Sequence, residues 1–136
     1  GQVNANLLAS PALVAEDANF DFGRVSMAKG DVSYDYKIKN AGAEAVTVGK
    51  VYTSCMCTKA ALSFSDKHFG PFGMAGHGFT PSVNRVVEPG EEFLVKATFD
   101  PAAHGPAGIG RVSRTIYVEN SAGRALELNF SAEVTP

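Results

Sequence analysis

Two cysteines separated by one residue, Cys55 and Cys57, have the types and spacing best suited to chemistry in this sequence. In an extended strand, side chains two positions apart point to the same face, so both sulfur atoms can meet one ligand. Thiolates favour soft metals such as Cu(I) or Zn(II), and a site with two or three ligands suits Cu(I). Met74 and His77, in the connection that follows, are suitable additional ligands, and His68 is nearby in sequence. Cys55, Cys57, Met74 and His77 are therefore a candidate copper site.

The same cysteine pair has two structural interpretations, and the sequence leaves them open. One is a disulfide between Cys55 and Cys57, and the other is a pair of small, buried thiols in the core. The Cα atoms of residues i and i+2 in an extended strand lie about 6.5 to 7 Å apart, so a disulfide requires a local kink. Met56, between the cysteines, disfavours a kink through left-handed backbone geometry. With two cysteines in all, the chain is neither a multi-bridge disulfide scaffold nor a four-cysteine zinc protein.

Catalytic signatures are lacking in the sequence. It contains no Gly-x-Ser-x-Gly, no His-Glu-x-x-His and no phosphate-binding loop. A histidine acts as a general base only beside a nucleophile and an orienting carboxylate. His104 falls in the turn-like segment 100–106, and we expect it to be a solvated loop residue. We therefore expect no enzyme activity and assign no catalytic residue.

Composition and charge describe a globular domain. The 136 residues are 45% hydrophobic and 19% charged, with a net charge of -2, which provides enough apolar material for one core and argues against disorder. The chain lacks the basic face that a nucleic-acid binder needs, and no apolar run approaches the roughly 20 residues of a membrane span. Residues 1–6 lack a signal-peptide pattern, so we expect either a cytosolic protein or a mature exported chain.

Apolar and polar residues alternate with a period of two through most of the chain, as in half-buried strands. The segments with this pattern are 19–25, 32–39, 46–53, 58–64, 93–100, 115–119 and 126–134. Turn signals separate them, no stretch of ten residues has a helical period, and a phase slip after Val48 predicts a bulge near Gly49. We predict an all-β fold, an antiparallel immunoglobulin-like β-sandwich of about seven strands.

The phase of the alternation also predicts the core, because a slip of one residue would turn each strand inside out. The inward-facing residues are Phe20, Phe22, Tyr36, Ile38, Val46, Val48, Phe93, Val95, Phe99, Ile116, Val118, Leu126, Leu128 and Phe130.

Two stretches depart from the strand pattern. Residues 65–87 form a long connection rich in glycine, phenylalanine and proline, and such connections tend to be functional or disordered. Its apolar content favours an ordered excursion that packs on the sandwich, whereas Phe69, Phe72 and Phe79 are also candidates for contact with a partner. Residues 1–12 form an N-terminal extension to a domain at 13–136, either as a frayed terminus or as a strand added to a neighbouring chain.

The segments 20–25, 36–42, 51–58, 88–91 and 98–100 follow in an order that resembles the bacterial domain of unknown function 1573 family, related to Hydin-type immunoglobulin-like domains. The resemblance spans roughly residues 18–135, and its most specific element is the Ser-Cys-x-Cys-Thr run at 54–58. Met56 stands where the family usually has glycine, and the 65–87 connection is longer than the family's. The resemblance implies an exported bacterial protein with a seven-stranded sandwich and no established activity.

Two functions from different classes fit this sequence. The first is a non-enzymatic, extracytoplasmic immunoglobulin-like module with a structural or protein-binding role, located in the periplasm, at the cell surface or outside the cell. This module needs no cofactor, and its partner is another protein or a second copy of the chain. The alternative is a small copper-binding or thiol-redox protein that uses Cys55 and Cys57.

Overall fold

The computed structural model describes residues 12–76 and 80–136, which form ten β-strands in two five-stranded sheets. The strands are β1 (Leu13–Ala15), β2 (Asn19–Ser26), β3 (Val32–Asn40), β4 (Val46–Thr53), β5 (Thr58–Ser63), β6 (His68–Phe72), β7 (Arg85–Val87), β8 (Glu92–Phe99), β9 (Gly110–Asn120) and β10 (Gly123–Thr135). Sheet A has the order β1-β3-β8-β5-β6, and sheet B has the order β2-β10-β9-β4-β7. Neighbouring strands pair antiparallel, apart from the parallel pair of β2 and β10.

This architecture confirms the predicted all-β sandwich. Each of the predicted segments overlaps an observed strand, and β1, β6 and β7 are additional short strands of three to five residues. The helical segments of the described residues are two 3-10 turns, Met27–Lys29 and Gly105–Gly108. Neither turn, within the described part of the chain, has the length or apolar character needed to cross a membrane.

The core lies between the two sheets and follows the alternation in the sequence. The predicted core residues that are buried are Tyr36, Ile38, Val46, Val48, Phe93, Val95, Phe99, Ile116, Val118, Leu128 and Phe130. Phe20, Phe22 and Leu126 are half-buried and pack against this cluster from its border. The predicted bulge near Gly49 is confirmed, since the pairing of β4 with β9 shifts between Val48 and Val51.

The connection at 65–87 contributes an edge strand to each sheet. Its first part is β6, which pairs with β5, and its last part is β7, which pairs with β4. Phe69 and Phe72 are half-buried and pack against the core, as the ordered excursion predicts. Their role as partner contacts stays a prediction. Phe79 and residues 1–11 lie outside the described residues, so the predicted extension at 1–12 and its boundary also stay predictions.

Candidate thiol and metal site

The segment 54–57 is the turn that carries the chain from sheet B to sheet A. Strand β4 ends at Thr53, and β5 begins at Thr58. The carbonyl oxygen of Cys55 accepts a hydrogen bond from the N–H of Thr58 at 3.1 Å, which closes the turn. Thr53 Oγ1 lies 2.9 Å from the carbonyl oxygens of both Cys55 and Thr58 and fixes the turn from within. The cysteines therefore lie in a turn and not on the extended strand that their spacing suggested, because the chain must cross between the sheets here.

The turn keeps the two sulfur atoms close together. Cys55 is 8% exposed and Cys57 is 3% exposed, and both are free thiols. The backbone N–H of Cys57 donates to Cys55 Sγ at 3.3 Å, and the hydroxyl of Thr58 lies 3.3 Å from Cys57 Sγ. Both thiols are thus held inside the end of the sandwich by hydrogen bonds from their own turn.

The register of β5 against β8 brings a second loop to this turn. Thr58 lies opposite Phe99 in an antiparallel pair, so residues that precede Thr58 lie beside residues that follow Phe99. The N–H of Asp100, directly after β8, donates to the carbonyl oxygen of Cys57 at 2.9 Å. The loop after β8 therefore begins in contact with the cysteine turn.

That loop folds back and directs His104 at the thiols. The side chain of Asp100 accepts the N–H of Ala102 at 2.9 Å, and Gly105 has a φ of 58°, which suits glycine at the reversal of the chain. Nε2 of His104 lies 3.1 Å from Cys55 Sγ. His104 is exposed, as expected for a loop residue, but its ring contacts a buried thiol and is not merely solvated.

The register of β4 against β9 brings an arginine to the other sulfur atom. Thr53 lies opposite Ile116, so residues after Thr53 lie beside residues before Ile116. The N–H of Ser54 donates to the β9 backbone at 2.9 Å and fixes this arrangement. From β9, Nε of the half-buried Arg114 donates to Cys57 Sγ at 3.3 Å. A permanent positive charge therefore adjoins the thiol pair.

These neighbours separate the acidities of the two thiols. Burial opposes ionisation of Cys55, but hydrogen bonds from Cys57, His104 and Arg114 outweigh it and lower the pKa of the Cys55 thiol to about 7. Burial, reinforced by the neighbouring Cys55, raises the pKa of Cys57. Burial also works against the charge of Arg114, yet its hydrogen bonds to both sulfur atoms raise the pKa of its guanidinium. Cys55 is thus the first thiol to ionise, with Cys57 as a donor beside it.

Two residues of this cluster, His104 and Arg114, are missing from the site predicted from sequence. Arg114 is two positions before Ile116, so it shares the inward phase of β9 with Ile116 and Val118. A charged residue at a position that the alternation assigns to the core could therefore have indicated that Arg114 belongs to the site. His104 offers no comparable signal, because its position depends on the register of β5 and β8.

The other candidate ligands lie at different places relative to the cysteine turn. Met74 forms an isolated bridge with Thr53 and is half-buried beside the cluster. It lines one surface opening together with Ser54, Cys55, Met56, His104, Ser113 and Arg114. His77 lies outside the described residues. His68 lies at the far end of β5 from the cysteine turn, where its Nδ1 is 2.9 Å from the hydroxyl of Ser63.

The arrangement can hold a soft metal ion. Cys55 Sγ, Cys57 Sγ and a ring nitrogen of His104 all lie within 4.8 Å of one another. Bonds of about 2.3 Å to thiolate and 2.0 Å to imidazole suit donors at such separations after small side-chain movements. One imidazole and two thiolates form a soft, low-coordinate set, the kind that Cu(I) prefers. The same two sulfur atoms can also exchange electrons as a dithiol.

The fold is similar to solved structures at low sequence identity. A protein of unknown function from Porphyromonas gingivalis W83 is 14% identical with a TM-score of 0.63, over 90% of this chain and 46% of that one. The ASH/PapD-like domain 7 of human CEP192 is 15% identical with a TM-score of 0.55, over 93% of this chain and 87% of that one. The secreted serine protease VesC from Vibrio cholerae is 13% identical with a TM-score of 0.59, over 94% of this chain and 25% of that one.

These similarities establish the sandwich fold alone. The chain spans about half the length of the P. gingivalis protein (46%) and a quarter of VesC (25%). No curated protein sequence matches the chain.

A family model matches the N-terminal part of the domain. Residues 13–70 match the family described as "Protein of unknown function (DUF1573)". The matched segment includes the Ser-Cys-x-Cys-Thr run at 54–58 and ends within β6, inside the connection at 65–87. Residues 13–70 thus confirm the predicted resemblance to the DUF1573 family, over the part of the chain that carries both cysteines.

Proposed function

We propose that this chain is a non-enzymatic, extracytoplasmic β-sandwich module that binds Cu(I) through Cys55, Cys57 and His104. The observation that carries the proposal is the convergence of the three donor atoms within 4.8 Å. Two thiolates and one imidazole satisfy Cu(I), whereas a structural Zn(II) site takes four ligands. This geometry favours the second of the two functions predicted from sequence, with His104 in the place assigned to His77. A structural or protein-binding role is compatible with the same module.

The cysteine ligands are held in position by the fold itself. The backbone of the turn is fixed by Thr53 from within and by the N–H of Asp100 on the carbonyl of Cys57. Because metal ligands must be deprotonated, the lowered pKa of Cys55, about 7, makes one thiolate accessible near neutral pH. The ion then displaces the proton of Cys57. Prior ordering of both thiols reduces the entropy that binding would otherwise cost.

An extracytoplasmic location is supported by the family resemblance, which implies export. Exported compartments are oxidising, and free thiols there are lost to disulfides unless they are buried or bound. Burial of both cysteines and occupation of their sulfur atoms by Cu(I) would together protect the pair.

A thiol-redox role is the second candidate, favoured by the unequal acidity of the two thiols. In this role the Cys55 thiolate attacks a disulfide of a partner protein and forms a mixed disulfide, releasing one partner thiolate. Cys57 loses its proton and displaces the second partner thiolate, which closes the Cys55–Cys57 disulfide. The partner gains two electrons as two thiols, and the chain loses them.

Titration of reduced, metal-free protein with Cu(I), in competition with a chromophoric chelator, tests the proposal. We expect one ion per chain, and Cys55→Ser, Cys57→Ser and His104→Ala should each weaken binding by at least about tenfold. His68→Ala is the matched control, because His68 is also exposed and contacts Ser63 far from the turn. It should bind Cu(I) as the wild type does.

His77→Ala separates the two ligand sets. A loss of affinity in His77→Ala with none in His104→Ala would restore the set predicted from sequence and refute ligation by His104. No Cu(I) binding by the folded wild-type protein would overturn the proposal. In that case, formation of an intramolecular disulfide from the dithiol in a glutathione redox buffer would favour the redox role.

A further inference from the structure

We infer that Arg114 determines the metal specificity of this site, by favouring a monovalent ion over a divalent one. The inference rests on the proposed function, since it concerns the same Cys55, Cys57 and His104 ligands. It adds a residue that would bind no metal itself and would act through its charge.

Arg114 is fixed against the thiol pair. Its Nε donates to Cys57 Sγ at 3.3 Å, and one of its terminal nitrogens donates to the carbonyl oxygen of Ser113 at 2.8 Å. Within residues 12–76 and 80–136, the salt bridges involve Lys37, Arg85 and Arg111, and Arg114 has no carboxylate within 4.0 Å. In the described part of the chain, the hydrogen-bond partners of its guanidinium are therefore Cys57 Sγ and the carbonyl oxygen of Ser113, and no carboxylate offsets its charge.

The formal charges of the two candidate complexes differ by one. Two thiolates, a neutral imidazole and Cu(I) leave a net charge of minus one, which the guanidinium of Arg114 neutralises. The same ligands with Zn(II) are already neutral, so Arg114 leaves an uncompensated positive charge. Because a net charge at a half-buried site is costly and like charges repel there, Arg114 stabilises the Cu(I) complex and opposes the Zn(II) complex.

The same strand provides a matched control in Arg111. Its side chain is 56% exposed and pairs with Asp21 at 3.0 Å, and it also donates to the hydroxyl of Ser131. Solvent and Asp21 screen its charge from the thiols. Removing Arg111 changes the net charge of the protein by the same amount as removing Arg114 does, but not the charge at the site.

The experiment measures Cu(I) and Zn(II) affinities, by chelator competition, for the wild type, Arg114→Met, Arg114→Lys and Arg111→Met. We expect Arg114→Met to reduce the preference for Cu(I) over Zn(II) by about tenfold, as the loss of a nearby partly screened charge implies. Arg114→Lys should retain most of the preference, and Arg111→Met should retain all of it. A merely structural role of Arg114 would weaken both metals equally and leave the ratio unchanged.

Arg114→Gln retains an N–H donor without the charge, and serves if Arg114→Met does not fold. An unchanged ratio in the folded neutral variants would overturn the inference while Cu(I) binding by the wild type stands. Failure of the wild type to bind Cu(I) would overturn the proposed function, and with it this role for Arg114.

Discussion

Nε2 of His104 lies 3.1 Å from Sγ of Cys55, although 49 positions separate the two residues in sequence. The contact depends on two strand registers, which bring their residues to the same end of the sandwich. One sets Thr58 opposite Phe99, and the other sets Thr53 opposite Ile116. Correct packing of both sheets is therefore needed to bring three segments together. They are the cysteine turn, the loop after β8 and the residues of β9 that precede Ile116. The stability of the sandwich and the geometry of the site are coupled for this reason.

Asn40 provides a first test of that packing. Its side chain is fully buried, and Nδ2 donates to the carbonyl oxygens of Glu44 and Val87 at 2.9 Å each. Asn40→Asp replaces this donor group with an oxygen that faces both carbonyls, so we expect a loss of about 3 kcal/mol or more in the free energy of unfolding. Urea denaturation followed by circular dichroism measures it.

Asn19→Asp is the matched control for this change. Asn19 is exposed, and its Oδ1 accepts a hydrogen bond that a carboxylate can also accept. Asn19→Asp should change the free energy of unfolding by no more than about 0.5 kcal/mol. Equal losses in the free energy of unfolding for the two variants would show that the buried amide group of Asn40 does not stabilise the fold.

Tyr36→Phe tests a hydrogen bond between the two sheets. The hydroxyl of Tyr36, from β3, donates to the carbonyl oxygen of Asn129, on β10, at 2.6 Å. Burial raises the pKa of Tyr36 well above its usual value, so the hydroxyl stays a donor at any working pH. We expect Tyr36→Phe to reduce the free energy of unfolding by about 1 to 2 kcal/mol. Tyr117→Phe, on a half-buried ring that stacks on Tyr52, should cost less, and the reverse order would refute this role for Tyr36.

Leu128→Ala tests the core at the centre of β10. Leu128 has no exposed surface and packs among the buried residues of both sheets. We expect a loss of about 2 to 5 kcal/mol in the free energy of unfolding, from lost burial and the cavity left behind. Leu94→Ala, the same substitution at a side chain that is 37% exposed, should cost about 1 kcal/mol or less. Similar chemical-denaturation midpoints for the two variants would contradict the assigned register.

Leu128 and Tyr36 also illustrate how much of the fold the sequence contains. Both lie in long strands whose apolar residues alternate with polar ones, and burial of one face requires that period. Strands β1 and β7 have three residues each, too few for an alternation to be recognised. The buried position of Asn40 at the end of β3 was also not predicted, because hydrogen bonds to Glu44 and Val87 satisfy its polar group only after folding.

The sequence predicts only the part of the candidate site that depends on residue spacing and on strand phase. The Cys-x-Cys spacing identifies the two thiols. Arg114 falls in the inward phase of β9, where a charged side chain is unexpected. From the sequence we predict His77 as the ligand and expect His104 to be solvated, although the residue type alone does not distinguish the two histidines. The pairing of β5 with β8 brings His104 to the thiols, and a period-two pattern specifies a strand's faces but not its neighbours.

The unequal acidity of the thiols predicts a distinctive pH profile in metal-free protein. Cys55 should react with iodoacetamide before Cys57, because the thiolate is the nucleophile and only the Cys55 pKa, about 7, is lowered. Below that pH the rate at Cys55 should fall about tenfold per pH unit as the thiol becomes protonated, and above it the rate should level off. An ordinary cysteine would continue to gain reactivity up to a pKa of about 8.5. Peptide mass spectrometry of timed samples measures both sites.

Removing a donor to Cys55 should shift this profile in a fixed direction. His104→Ala deletes one of the hydrogen bonds that favour the Cys55 thiolate, so the midpoint of the rate should move to higher pH. His68→Ala, which deletes an exposed histidine that contacts Ser63, should leave the midpoint unchanged. A wild-type midpoint already at the ordinary cysteine value, or one that His104→Ala does not move, would show that the imidazole does not stabilise the thiolate. Slow modification overall would not weaken the test, since Cys55 is only 8% exposed and the prediction concerns the shape of the profile.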